Sequence, residues 1–287
     1  MISKVLSRFI VSVLGCVFVL SLCIGLPGAN ANDENDCNLY GCDNDCKFTI
    51  DFRLEYCKFK ATGVNPYLIL KPGYQLILES DEEKAVETVL QDTKWIDLDG
   101  RKIKTRVVEE RAWEENEESG ELVLVEISRN WFAICKKTND VYYFGEDSRD
   151  CSLERGGFDP NDETKCLLPE PPDLEDGLLA AEEDVEDLEP DTSGSWEAGV
   201  NGAQPGIIMP GTFLLGAKYF QEIAKEDEAV DRGQNVKMGL TVVTEAGTFE
   251  DCVKVIDTNP AEGVCSRSDG DPKKILPRSW TGQRRRS

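Results

Sequence analysis

The sequence predicts a mainly β protein. Antiparallel meanders form two related β units, packed as a sandwich or half-barrel, with an acidic loop or helix insertion between them. Three observations predict this. Runs rich in β-branched and aromatic residues alternate apolar and polar side chains with the period of two that a half-buried strand requires. Turn dipeptides such as Asp99-Gly100 and Asn139-Asp140 separate those runs. A similar order of strand and hairpin occurs on both sides of an acid-rich stretch.

The N-terminal residues 1–31 read as a signal peptide. Lys4 and Arg8 are basic, and Phe9 to Leu26 is apolar apart from Ser12, Ser21 and two glycines. Ala29-Asn30-Ala31 is then a small-x-small cleavage signature. A retained membrane anchor is the alternative, because the run approaches spanning length. Cleavage implies a secreted or periplasmic protein with no transmembrane helix after the signal. Losing Lys4 and Arg8 and no acid takes the net charge from −23 to −25. That charge repels nucleic acid, which is bound by cationic side chains that replace counterions. Cations and basic proteins are the electrostatically permitted partners.

Cys16 and Cys23 leave with the signal, and nine of eleven cysteines remain. Cys37, Cys42, Cys46, Cys57, Cys135, Cys151, Cys166 and Cys252 are disulfide candidates in an oxidising compartment, with Cys265 the ninth. Zinc is the alternative for the early four. Their spacing is not that of a C-x2-C knuckle, and the chain has no His. The odd number leaves at least one thiol unpaired or paired with another molecule.

Residues 32–62 form a Cys-rich leader, and the first β unit spans 63–147. Asn65-Pro66 opens it, and strands are expected at Tyr74 to Leu78, Lys84 to Asp92 and Trp95 to Leu98. Asp99-Gly100 then turns the chain into a strand at Ile103 to Val108, with Ile103, Thr105 and Val107 on one face. After an acidic turn at Glu114 to Gly120, strands follow at Glu121 to Ser128, Trp131 to Lys136 and Val141 to Phe144. The acidic insertion or linker covers 148–194. Residues 146–191 carry 18 acids against three bases, and five prolines, so they cannot bury a core. Leu174, Leu178, Val185 and Leu188 approach a helical period within it.

The second β unit covers 195–262. Gly216 to Glu222 parallels Gly73 to Glu79, Ala229-Val230 parallels Ala85-Val86, and a hairpin around Gly247 parallels the one around Gly100. Duplication of one β unit accounts for this, and two meanders that merely look alike is the rival. Residues 263–287 form a basic tail, disordered or the product of a shifted reading frame near residue 262. It holds seven Lys or Arg against two Asp, opposite to the rest of the chain.

The segments Asn65-Pro66-Tyr67, Leu70-Lys71-Pro72-Gly73 and Val141 to Asp147 resemble a group of uncharacterised secreted bacterial proteins. So do Ser195 to Val200, Gly206 to Pro210 and Ala246 to Phe249. The resemblance spans residues 65–147 and 195–260. It implies export and kinship, and no mechanism, because the family carries no assigned activity. The aromatic-Pro-Gly hairpin that closes such proteins is absent here. The leader and the insertion are additions to the family pattern.

No catalytic residue is assigned. Without His there is no Ser-His-Asp or Cys-His arrangement and no imidazole base. Gly-x-Ser-x-Gly and the phosphate-cradling Gly-x4-Gly-Lys are both absent. Paired carboxylates could serve a hydrolase, but 55 acids make any pairing findable. Calcium is the one cofactor considered, with Asp97, Asp99, Asp159 and Asp162 as candidate oxygen ligands. The same residues suit local turns, in which an Asx side chain accepts a backbone N–H. Trp95, Trp113, Trp131, Phe132, Tyr142, Tyr143, Trp196, Tyr219 and Phe220 either line a ligand cleft or pack the core. The functional expectation is a non-catalytic binding or envelope-associated β protein. It would hold an apolar or carbohydrate group on a concave sheet, or pair through an edge strand. A calcium-binding surface protein and a carboxylate hydrolase are the alternatives.

Overall fold

Alternating apolar residues and turn dipeptides produce an antiparallel meander. The structure, a computed structural model, describes residues 48–80, 82–116, 119–167 and 189–259. Short strands β1 (Phe59–Lys60), β2 (Gly63–Val64) and β3 (Ile69–Leu70) precede β4 (Gln75–Glu79), β5 (Glu83–Leu98) and β6 (Arg101–Glu115). Next come β7 (Leu122–Cys135) and β8 (Val141–Asp150). Asp99 and Gly100 both take positive φ, 53° and 80°, as the two-residue turn between β5 and β6 requires. The expected strands at 84–92 and 95–98 are one strand, β5, and those at 121–128 and 131–136 are one strand, β7.

Arg106 explains the first merger. Between Val89 and Thr93 the register of β5 on β6 slips, leaving backbone carbonyls without a ladder partner. The buried Arg106 guanidinium donates to the carbonyls of Gln91 (2.7 Å), Asp92 (3.2 Å) and Ala61 (3.0 Å), and to Thr62 Oγ1 (2.7 Å). A bulge that would interrupt the strand is thereby satisfied internally.

The chain continues through β9 (Phe158–Asp159), β10 (Asp162–Cys166), β11 (Trp196–Glu197) and β12 (Gln204–Met209). It ends in β13 (Lys218–Phe220), β14 (Glu222–Ile223), β15 (Arg232–Thr244) and β16 (Gly247–Thr258). A nine-stranded sheet runs in the order β14-β12-β8-β7-β6-β5-β4, with β1 added on β7 and β11 on β8. A three-stranded sheet runs β13-β15-β16. The described chain is 61% strand with no α-helices, only three single-turn 3-10 segments, and its curled antiparallel sheets form the expected sandwich or half-barrel.

Three boundaries differ from the sequence reading. The end of the Cys-rich leader belongs to the main sheet: β1 pairs with the end of β7, and Cys57 is bonded to Cys135. The start of the acid-rich stretch is ordered. It completes β8, then forms the β9–β10 hairpin, which Cys151–Cys166 closes and which packs Phe158 against Ile127. Disulfide closure and one buried aromatic offset the charge that suggested a linker. Within the stretch read as the second unit, β12 instead joins β8 and β14 in the nine-stranded sheet. The order of β13, β15 and β16 nevertheless matches that of β4, β5 and β6, a short strand followed by a long hairpin. The signal peptide, Cys37, Cys42, Cys46, the helical spacing at 174–188 and the basic tail lie outside the described residues.

Candidate functional site

Cross-strand register places a row of polar residues on one face of the main sheet. Glu87 opposes Glu110, Glu110 opposes Ser128, and Ser128 opposes Ser148. One pair along, Val108 opposes Asn130, Asn130 opposes Glu146, and Glu146 opposes Trp196. Directly opposed residues share a face. Gly145 makes this row polar. At φ 136° it adds a residue to β8, so Tyr143 and Glu146 come to the same side although three apart. A Cβ at position 145 would sit 2.3 Å from the Trp196 carbonyl oxygen.

Tyr143, Asn130 and Glu146 are all buried. The Tyr143 hydroxyl lies 2.5 Å from Asn130 Oδ1 and 2.7 Å from Glu146 Oε2. Asn130 Nδ2 donates to Ser128 Oγ, and Oδ1 faces the phenol. A phenol has one proton and cannot donate to both neighbours. The phenol therefore donates to one of them at a time, and donation to Glu146 favours the carboxylate form. Burial pushes the Glu146 carboxyl from the ordinary 4.5 up to about 8, against the Tyr143 hydrogen bond and with help from Glu126 and Asp231. Burial also holds the Tyr143 hydroxyl well above its usual value, reinforced by Glu146 and Glu222.

Glu222 on β14 and Asp231 just before β15 extend the group. Glu222 Oε1 accepts the Asp231 backbone N–H at 3.2 Å. Burial, then Asp231, raises the Glu222 carboxyl well above the usual carboxylate range. Arg232 stands beside Asp231 and opposes the rise that burial causes there. Trp196 packs edge-on to Tyr143 at 5.3 Å, and its buried indole N–H has no hydrogen-bond partner among the described residues.

This arrangement can store protons, but it cannot receive a substrate. Glu146 and Glu222 are only 5% and 2% exposed. Burial at that level leaves neither carboxyl open to a sugar or peptide. The expected aromatic cleft is instead packed core. Trp131, Phe132, Tyr142, Tyr143, Trp196, Tyr219 and Phe220 are buried, while Trp95 is exposed and Trp113 half-buried. The recess lined by Leu68, Leu70, Tyr74, Glu87, Val89 and Phe132 has a volume of about 20 Å³. That is room for about one water, which the otherwise unpartnered Tyr74 hydroxyl could bind.

The candidate calcium ligands do not converge. Asp97 Oδ1 accepts the Gly100 N–H at 2.8 Å, and Asp99 occupies the turn itself. Asp159 Oδ1 accepts the Asn161 N–H at 2.7 Å, and Asp162 Oδ1 accepts from the Thr164 backbone and hydroxyl. Among the described residues no group of three or more Cys, Asp or Glu is placed to hold a metal ion. Of the candidate disulfide cysteines, Cys57, Cys135, Cys151 and Cys166 are bonded, and Cys252 has no disulfide partner among the described residues. Glu222 and Asp231 went unnoticed in the sequence because they are two of 55 acids. Their signal is context: Glu222 lies two residues after Tyr219-Phe220, and Asp231 follows Ala229-Val230, both apolar pairs.

No family model matches the chain, and no curated protein or solved structure matches it either.

Proposed function

We propose that the chain is an exported, non-catalytic binding protein that takes an extended, basic polypeptide segment on the outer edge of β16. One observation carries this reading: the distal half of the β15–β16 hairpin stands out as an arm. β16 ends its strand order, and among the described residues no strand pairs with its far side. Met238 and Val243 on the arm are 50% and 75% exposed. The register of β15 on β16 slips three times, between Asn235 and Val242. An unpaired edge offers backbone N–H and C=O groups to an incoming strand. Exposed Glu245, Glu250 and Asp251 near its tip, with the net charge of −23, favour a cationic one. Two disulfides agree with an oxidising compartment, and no helix among the described residues is long and apolar enough to cross a membrane. Kinship with the secreted bacterial proteins belongs to the same reading.

Ten-residue peptides alternating Lys or Arg with Val, Ile or Thr provide the probe, read by fluorescence anisotropy. Binding should occur and should weaken with salt. It should fall about tenfold or more in Met238→Lys/Val243→Lys, which removes apolar contact and repels a basic peptide, and whose thermal melting stays unchanged because both sites are exposed. Equal binding by both proteins, or by neither, sinks the proposal.

A further inference from the structure

The β13-β15-β16 sheet carries four cations on one face. Lys218 opposes Gln234, Gln234 opposes Ile256, Phe220 opposes Arg232, and Lys237 opposes Lys254. Directly opposed residues share a face, as do residues two apart on one strand. Lys218, Arg232, Lys237 and Lys254 therefore lie on the same side, in a chain of net charge −23. Two of them meet an aromatic ring. The Arg232 guanidinium is 4.6 Å and the Lys218 Nζ 5.3 Å from the centre of Phe48. Among the described residues, neither Lys237 nor Lys254 has an acid, a hydrogen-bond acceptor or a ring as partner.

A bulge builds this second pair. From Asn235 to Lys237 β15 advances two residues, while β16 advances one, from Val255 to Lys254. The extra residue, Val236, changes the parity of β15 and turns Lys237 onto the face of Lys254. In an uninterrupted ladder Val236 would oppose Lys254, and Lys237 would share the face of Asn235. Like charges directly opposite each other destabilise a sheet, so the bulge creates a repulsion that a regular strand avoids. Lys254 adds to that cost, because it is only 2% exposed and a buried cation without an acid is unfavourable. Ile256 and Cys252, two residues to either side of it on the same face, are half-buried. Burial and the Lys237 charge both lower the Lys254 ammonium from its ordinary 10.5.

We propose that Lys237 and Lys254 form a binding site for a small, doubly charged oxyanion, a free phosphate or sulfate. Each ammonium group offers three N–H donors and one positive charge, so the pair matches a dianion better than a single carboxylate. Binding cancels the repulsion across the strands and supplies the partner that buried Lys254 lacks. The surroundings limit the size of the ligand. Exposed Glu245, Glu250 and Asp251 further along the arm, with the net charge of −23, repel a long polyanion. The site is independent of peptide binding, since it occupies a face of the arm and the peptide its edge.

Equilibrium dialysis of the full chain against labelled sulfate, at low ionic strength with chloride as the competing anion, tests the site. Sulfate should bind saturably, one per chain, and unlabelled phosphate should displace it. Lys237→Gln, at an exposed position where the fold is not at stake, should weaken binding about tenfold, the effect of one lost charged hydrogen bond. Lys254→Met, which keeps the side-chain length without the charge, should weaken it at least as much. Dextran sulfate, the polyanionic arm of the test, should displace labelled sulfate no better per sulfate group than the free ion. The proposal is overturned by the absence of saturable binding, by wild-type affinity in Lys237→Gln, or by stronger displacement with dextran sulfate. None of these measurements uses a peptide, so their failure leaves the edge-binding reading untouched.

Discussion

On one face of β6 and β7, Glu109, Arg111 and Arg129 meet Glu163 from the hairpin laid across them. On the other face, reached by the alternate residues of the same strands, Glu110, Ser128 and Asn130 lead to Glu146. Arg111 grips Glu163 with two contacts, 2.6 and 3.2 Å, and bonds Glu109 at 2.9 Å, while Arg129 reaches Glu109 at 3.3 Å. The outer acids meet guanidinium groups and are partly in water. Arg111 holds Glu163 below the usual carboxylate range. The inner acid, Glu146, sits with a phenol and other carboxyls and is held neutral. One sheet thus stabilises acids in two ways, by supplying a cation and by keeping a proton. The two faces should respond oppositely to pH and salt.

The largest expected difference is in pH dependence. A carboxyl raised from 4.5 to about 8 in the fold binds a proton that the unfolded chain has already lost over that interval. Stability is therefore full below about pH 4.5, falls as pH rises, and levels off above about pH 8. One such group costs about 1.4 kcal/mol per pH unit and at most about 5 kcal/mol across the window. Urea midpoints should accordingly rise on acidification from pH 8 to pH 5, and Glu146→Gln should remove most of the slope. Tyr143→Phe sharpens the point: its hydroxyl opposes the rise at Glu146, so its loss should move the upper limit of the window above pH 8. A wild-type midpoint that falls with acid would place an ionised carboxylate on the inner face.

The next effect belongs to the outer face. Cys151 and Cys166 are separated by 15 residues and close the hairpin that carries Glu163. Chain-entropy reasoning gives about 3 kcal/mol for a loop of this size. Cys151→Ala/Cys166→Ala should therefore lower the urea midpoint at every pH without altering the pH slope set by Glu146. A changed slope would mean that the two faces are coupled.

Much of this contrast was not legible in the sequence, for definite reasons. Alternation and Asp99-Gly100 were sufficient for the β5–β6 hairpin, because both are local. The alternation of β7 was equally plain, yet it could not say which face was covered, since that depends on strands distant in the chain. Gly145 changes the parity of β8 between Tyr143 and Glu146, and a period-of-two reading across it assigns Glu146 to the wrong face. Arg106 looked like any charged strand residue, although it fills a two-strand irregularity. Residues 148–167 read as linker because composition outweighed a single pair of cysteines. Glu222 and Asp231 reach the main sheet only because β12 pairs with β8 on one edge and β14 on the other, an arrangement of distant segments that no local pattern encodes.

The smallest effect separates the two faces most cleanly. Glu163→Gln keeps the shape of the side chain and removes the charge that Arg111 meets. Their side chains are 52% and 30% exposed, so water already screens the pair. Exposed pairs contribute about 0.2–1 kcal/mol, and the two-point geometry puts this one towards the upper end. At about 1 M salt, where screening acts over roughly 3 Å, the difference between Glu163→Gln and wild type should shrink towards zero. The Glu146→Gln difference should survive the same salt, because the inner carboxyl is shielded from ions by its burial. If both differences vanish together, the inner face is wet, and keeping a proton there is no longer the explanation for its acids.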